Sequence, residues 1–417
     1  MKITSLETIR NAEYPALIWV RVNTDEDISG LGETSFGVEA VEAFIHTEIA
    51  PYLIGKDPTH IDAHWDAVRK FARADMTRNA EIRALAALDV AYWDIFGQST
   101  KLPIYRLLGG PARERIRIYN TCAGYRYVVR RSRDGEAHRG AGEQSLNLSG
   151  NLADGTDDEG PYEDLRAFLN NADDLAESLL SEGITAMKIW PFDQFYEETD
   201  GQRITLENLK KGLEPFEKIR KRVGNKIQIA AEMHSLWSQP ASLRIAKALE
   251  EFDLMWIEDP IPMNNMDALA DFRSKVNIPV CASETIATRE AFREMFERNA
   301  TDIAMLDVTW CGGISEAKKI ATMAETYKLP IAPHDCTGPV TLMAGLHLNI
   351  NVPNAFIQET VRSYNTGWYP KIVDRMPDIR DGYAYAPTDP GLGMALRPEF
   401  FTHPETTIQT SDATTIG

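Results

Sequence analysis

Cysteine is scarce in this 417-residue chain: Cys122, Cys281, Cys311 and Cys336 stand far apart and include no CxxC pair. That excludes a disulfide-dense secreted scaffold and a thiolate zinc site, and it fits reduced thiols in a cytoplasmic protein. Long apolar runs are missing as well. No stretch of about 18 apolar residues exists, so no membrane span is expected. The opening MKITSLETIRNAEYP carries a lysine but no apolar segment before its acidic and polar residues, which argues against a secretory leader. Positive charge is in deficit, with 44 Lys and Arg against 62 Asp and Glu and a formal net charge of -18. Nucleic acid is therefore disfavoured as a partner, because backbone binding needs a basic surface. A small anionic substrate stays compatible, since a metal and a few lysines can set the local potential inside an acidic protein.

What is present is ordinary globular composition, 43% apolar and 25% charged, in a chain long enough for one large domain and a smaller one. The stretch ALIWVRVNTDEDISGLGETSF reads as a hairpin, with Leu17, Trp19 and Arg21 alternating against Ile18 and Val20 and a turn near 25–30. Residues 39–98 are helical in pattern, and IRALAALDVAYWDIFG presents a continuous apolar face ending at Gly97. A Gly-Gly-Pro break in LLGGPARERIRIYNTCA marks the expected domain boundary. Residues 130–160 are polar and glycine-rich, which suits a lid over a site or a disordered excursion equally.

From 161 onward helical segments alternate with short apolar strands: ITAMKIW, IQIAAEMH, LMWIED, VCASET, IAMLDV, LPIAPHD and AFIQET. Each ends on a polar residue, namely Lys188, Glu232, Glu258, Glu284, Asp307, His334 and Glu359. After a longer first step these recur every 23–27 residues, about the length of one βα unit. With RIYNTCA as the first strand the repeat gives eight, which predicts an α/β barrel with its site at the carboxyl ends of the strands.

Glu232, Glu258 and Glu284 end three consecutive strands, and neighbouring strands lie about 5 Å apart. Three carboxylates so close repel unless a cation sits between them. Oxygen ligands at that density suit Mg²⁺, and zinc less well because only His234 is nearby. Asp307 can orient His334 and raise its basicity, which makes His334 a general-base candidate. Lys188 faces the same mouth, where it can neutralise a substrate carboxylate or an enolate oxygen. Together these groups describe removal of a proton next to a carboxylate.

The motifs GLGETSF, LPIYRLLGG, WIEDPIP, ASE, LDVTWCGGI, PHDCTGP and IQE, in that order, resemble the enolase superfamily. The branch is that of mandelate racemase, muconate lactonising enzyme and the acid-sugar dehydratases, and the resemblance covers nearly the whole chain. It implies a modified TIM barrel, (β/α)7β, over about 113–370. An N-terminal α+β capping domain over 1–112 would cover it, and 371–417 would return to the cap. Cap loops near 24–37 and 51–60 would contact the substrate. Glu232, Glu258 and Glu284 match the family's Mg²⁺ ligands, Asp307 and His334 its dyad, and Glu359 the acid that hydrogen-bonds the enolate oxygen.

Two departures matter. Lys188-Ile189-Trp190 stands where racemases and lactonising enzymes carry Lys-x-Lys, so a second base is missing. Glu232-Met233-His234 is similar to the Asp-x-His of certain sugar-acid dehydratases, in which the histidine protonates the departing hydroxyl. The implied activity is magnesium-dependent β-elimination of water from a polyhydroxy monocarboxylate, giving a 2-keto-3-deoxy acid. Its catalytic residues would be His334, Asp307, His234, Lys188 and Glu359, with Tyr125, Arg126, Trp190, Trp237 and Trp310 as pocket candidates. A cycloisomerase or a racemase/epimerase acting on a sugar acid or lactone is the rival. Family members are commonly homo-oligomers, which is the expectation here.

Overall fold

A computed structural model describes residues 1–73, 79–127, 160 and 162–416. The polar stretch expected as a lid or excursion lies outside the described residues apart from Gly160.

The chain opens with antiparallel strands β1 (Ile3–Asn11), β2 (Leu17–Thr24) and β3 (Ser29–Ser35). The turn of the expected hairpin is tighter than its sequence suggests: Gly30 already pairs with Val22. Alternation on β2 serves two cores. Ile18, Val20 and Val22 pack into the cap, while Leu17 and Trp19 join the core shared with the barrel. Period-two patterning thus buries both faces of the sheet. Helices Val38–Phe44, Ile61–Ala72 and Ala80–Thr100 cover the cap side. The long helix lies so close to β3 that a Cβ on Gly32 would come within 1.8 Å of the Ala87 carbonyl oxygen. Gly30 faces the Ala91 carbonyl in the same way, at 2.0 Å. The GLG of GLGETSF is therefore a backbone-contact motif. Gly97, expected as the helix end, lies inside the helix, where its missing Cβ admits Gly391.

Next come the parallel strands β4 (Arg115–Thr121), β5 (Ala186–Ile189), β6 (Gln228–Glu232), β7 (Trp256–Glu258), β8 (Val280–Ala282) and β9 (Ile303–Ala304). The seventh position is a single bridging residue, Ile331, paired with Ala304 on one side and Ala355 on the other. The eighth strand, β10 (Gln358–Thr360), pairs with β4 and closes the ring. A helix follows each of the first seven positions and only the short Arg362–Asn365 turn follows the eighth, so the barrel is (β/α)7β. The tail divides. Strands β11 (Ile379–Arg380) and β12 (Tyr383–Tyr385) form a hairpin on β4, and β13 (Thr406–Asp412) joins the cap sheet beside β1.

The barrel interior is an apolar plug that includes Tyr119, Ala186, Ala230, Trp256, Cys281, Met305, Ala332 and Ile357. Because side chains alternate along a strand, the next inward position is two residues on. Those positions are Thr121, Lys188, Glu232, Glu258, Ser283, Asp307, His334 and Glu359. A polar layer thus sits directly on the plug.

Cap and barrel meet at Glu33, which is fully buried. Its carboxylate accepts from Trp19 Nε1 at 2.7 Å and from the Thr341 amide and hydroxyl at 3.0 and 2.9 Å. Thr341 lies in the first turn of helix Pro339–Asn351, where a negative group is favoured. Burial nevertheless pushes Glu33 from 4.5 to about 7. Between those values the folded chain holds a proton that the unfolded chain has lost, so stability falls as pH rises through this window. Glu33 should account for about 3 kcal/mol of that loss. Urea titrations of the wild type and Glu33→Gln at pH 5 and pH 8 check this, the variant showing the smaller change.

Candidate active site

Lys188 stands at the centre of the polar layer, 3% exposed at the side chain, with Nζ 2.5 Å from Glu258, 3.0 Å from Glu359 and 3.2 Å from Glu232. Burial opposes its charge, but Glu258, Glu359 and Glu232 outweigh that and hold it well above its ordinary value. Glu359 also accepts from the Thr121 hydroxyl and, at 2.9 Å, from the Asp335 amide. Burial works against its ionised form, while Lys188 and His334 keep its pKa low.

One oxygen from each of Glu232, Glu258 and Glu284 lies within 4.8 Å of the others. Neighbouring groups aim these carboxylates. Glu232 accepts from the Met233 and His234 amides at 3.0 and 2.7 Å, and Glu258 accepts from Trp256 Nε1 at 2.7 Å. Burial and then Glu232 push Glu258 well above the ordinary carboxylate range, whereas His234 and Lys188 hold Glu232 below it against burial. Three converging oxygens with no sulfur among them form a donor set that fits a hard divalent cation such as Mg²⁺. Glu284 stands one residue past the register position, which Ser283 occupies, and it is the most exposed of the three.

His334 contacts two carboxylates, with Nδ1 2.9 Å from Asp307 and Nε2 3.0 Å from Glu284. Asp307 is itself fixed by the Thr309 amide at 2.7 Å and hydroxyl at 2.8 Å. The Trp310 ring covers the imidazole, centres 5.2 Å apart. Burial opposes a charged imidazole, but Glu284, Glu359 and the Asp307 hydrogen bond raise its pKa well above the ordinary value.

A second histidine–carboxylate pair stands across the ring. His234 follows the third strand and His334 the seventh, so in an eight-membered ring they lie on opposite sides. His234 Nδ1 is 2.5 Å from Asp193, whose side chain is fully buried. Burial pulls the imidazole down, but Asp193 and Glu232 outweigh it and push His234 up to about 9. The Trp190 ring meets its edge, centres 5.6 Å apart.

Asp193 was not expected from sequence. It sits three residues past Trp190 in the short turn Asp193–Phe195, where no strand periodicity marks it. Thr121 could have been found, because it ends the first strand as the charged residues end the others. Of the pocket candidates, Trp310 and Trp190 lie against the two histidines. Tyr125 packs in the core and its hydroxyl accepts from Lys371 Nζ at 3.1 Å. Trp237 is fully buried with Tyr196 at its edge, and Arg126 is exposed on the turn beside Tyr125.

Comparison with known proteins agrees with this architecture. Residues 171–400 match the family described as Enolase C-terminal domain-like. Residues 3–109 match the mandelate racemase / muconate lactonizing enzyme N-terminal domain. D-galactonate dehydratase of Ralstonia pickettii is 29% identical over 407 residues, 95% of this chain and 92% of the relative. D-xylonate dehydratase of Haloferax volcanii is 27% identical over 399 residues, 95% and 87% of the two chains. Among solved structures, an enolase of the mandelate racemase subgroup from Agrobacterium tumefaciens superposes with a TM-score of 0.83 at 43% identity, over 100% of both chains. The cap, the closed (β/α)7β ring and these matches together make the chain a member of the enolase superfamily, in its mandelate racemase / muconate lactonising enzyme branch.

Proposed function

We propose that this enzyme is a hydro-lyase that dehydrates a sugar acid, taking the proton from C2 and the hydroxyl from C3 to leave a 2-keto-3-deoxy acid. The observation that carries this reading is the pair of opposed histidines, each on its own carboxylate. The full-length relatives named as galactonate and xylonate dehydratases support the same reaction class.

Mg²⁺ bound by Glu232, Glu258 and Glu284 would supply positive charge next to the substrate carboxylate, which lowers the cost of negative charge developing there. Lys188 and Glu359, 3.0 Å apart on the strands either side of β4, face that carboxylate and hydrogen-bond the oxygen that becomes enolic. His334 takes the C2 proton on Nε2, while Asp307 at Nδ1 fixes the tautomer that leaves Nε2 able to accept. His234 donates its proton to the C3 hydroxyl, which departs as water. With His234 and His334 on opposite sides of the ring, proton and hydroxyl leave from opposite faces of the substrate. The enol then tautomerises to the ketone. A protonated acid on the far side suits elimination better than inversion, which needs a second base there.

NMR in D₂O of the Mg²⁺-supplemented enzyme with pooled sugar acids tests the reading. New 3-deoxy signals are expected. Deuterium at C2 without them would redirect the function to isomerisation, and silence across aldonates, aldarates and lactones would sink it. Asp193→Asn should retain C2 exchange while elimination falls about 100-fold, within the range that general acid catalysis contributes. The alkaline limb of kcat should move to lower pH in that variant than in the wild type, because the Asp193 charge that raises His234 is gone. Lys188→Met strips the carboxylates of their ammonium and should cost about 3–5 kcal/mol in Mg²⁺-free denaturant titrations. Saturating Mg²⁺ should recover part of that loss.

A further inference from the structure

Arg83 reaches the seam beside Trp310 from the cap, and the proposed elimination makes no use of it. Arg83 lies in the first turn of helix Ala80–Thr100. Its guanidinium carbon stands 4.4 Å from the centre of the Trp310 ring, and that ring is 5.2 Å from the centre of the His334 imidazole. The Phe36 ring is 6.0 Å away on the cap side. Ser35 pins both partners: its carbonyl accepts from Arg83 Nη1 at 2.9 Å, and its hydroxyl accepts from Trp310 Nε1 at 2.9 Å. The guanidinium is thus held in a fixed place at the seam between cap and barrel, stacked on the residue that covers the base.

Among the described residues no carboxylate pairs with Arg83, although Asp307 and Glu284 act on it through space. Burial outweighs their attraction and lowers its pKa to about 10, so it stays charged at neutral pH. A half-buried charge with no carboxylate beside it among the described residues costs free energy. A staple between cap and barrel does not require that cost, because Trp310–Ser35 and the bond from the Thr34 hydroxyl to the Thr309 carbonyl, 3.0 Å long, already join the two. The substrate's C1 carboxylate has its own cations at Lys188 and the metal triad. A further guanidinium gains a carboxylate if the ligand brings a second anion, and its planar fork has the geometry to meet a carboxylate in two-point contact.

We propose that Arg83 binds a second carboxylate at the far end of the substrate, and that the enzyme is built for sugar diacids over the corresponding monoacids. The proposal rests on the sugar-acid reading of the site and narrows its substrate class.

The test is a ratio. Values of kcat/KM are measured with Mg²⁺ for galactarate against galactonate and xylarate against xylonate, in the wild type, Arg83→Met and Arg83→Lys. The wild type should favour the diacid of a pair by at least about tenfold, and Arg83→Met should lower the diacid-to-monoacid ratio by about 100-fold, the effect of losing a charge-assisted two-point contact. Arg83→Lys, which keeps charge but loses the fork, should fall between. A wild type that prefers monoacids, or a ratio unchanged by either variant, overturns the proposal. Should neither class yield a 3-deoxy product, the dehydratase reading fails separately. The thermal shift given by each acid to the Mg²⁺-loaded protein then decides, with a diacid-specific shift lost in Arg83→Met upholding the subsite and equal shifts refuting it.

Discussion

Everything at the barrel mouth depends on placing Lys188 among Glu232, Glu258 and Glu359. Four ionisable groups taken out of water on top of an apolar plug are tolerable only because each charge has an opposite within contact distance. The plug fixes their height and period-two alternation fixes their direction, so the strand that buries Trp256 presents Glu258 two residues later. A buried strand ends on carboxylates because its last inward position is the floor of the site. Glu284 is the exception, standing one residue beyond the register. From there it reaches both the Glu232 and Glu258 oxygens and His334 Nε2, so a cation held by the three carboxylates would be coupled to the protonation of His334 through one side chain.

The two histidines share one local arrangement. Each receives a carboxylate at Nδ1, which leaves Nε2 as its working atom. His334 is hemmed by Glu284, Glu359 and Asp307, and His234 by Asp193 and Glu232. What separates them is position on the ring: in the proposed elimination, a substrate between the third and seventh strands would present a different bond to each.

The repeat of polar strand ends was legible in the sequence because a βα unit has nearly constant length and each strand ends at the same level of the barrel. Glu232, Glu258, Asp307, His334 and Glu359 follow that rule, and the ring geometry brings them to one layer. Asp193 escaped because it lies in a turn, where position depends on backbone geometry rather than on periodicity. Arg83 escaped for a different reason. It is close to Trp310 only through the docking of two domains, and no local pattern encodes that contact. The same holds for Gly97, which reads as a helix stop until the returning chain at Gly391 is seen beside it.

The close approach of β3 to helix Ala80–Thr100 through Gly30 and Gly32 has an evolutionary consequence. With backbone touching backbone, the strand cannot slide or tilt to fit a new ligand without losing its contact with the helix. Descendants of this sequence that change substrate would therefore keep the sheet and helix as one rigid piece. They would vary what that piece carries at its edge, at Ser35, Phe36 and Arg83, where a side chain can be exchanged without moving the frame.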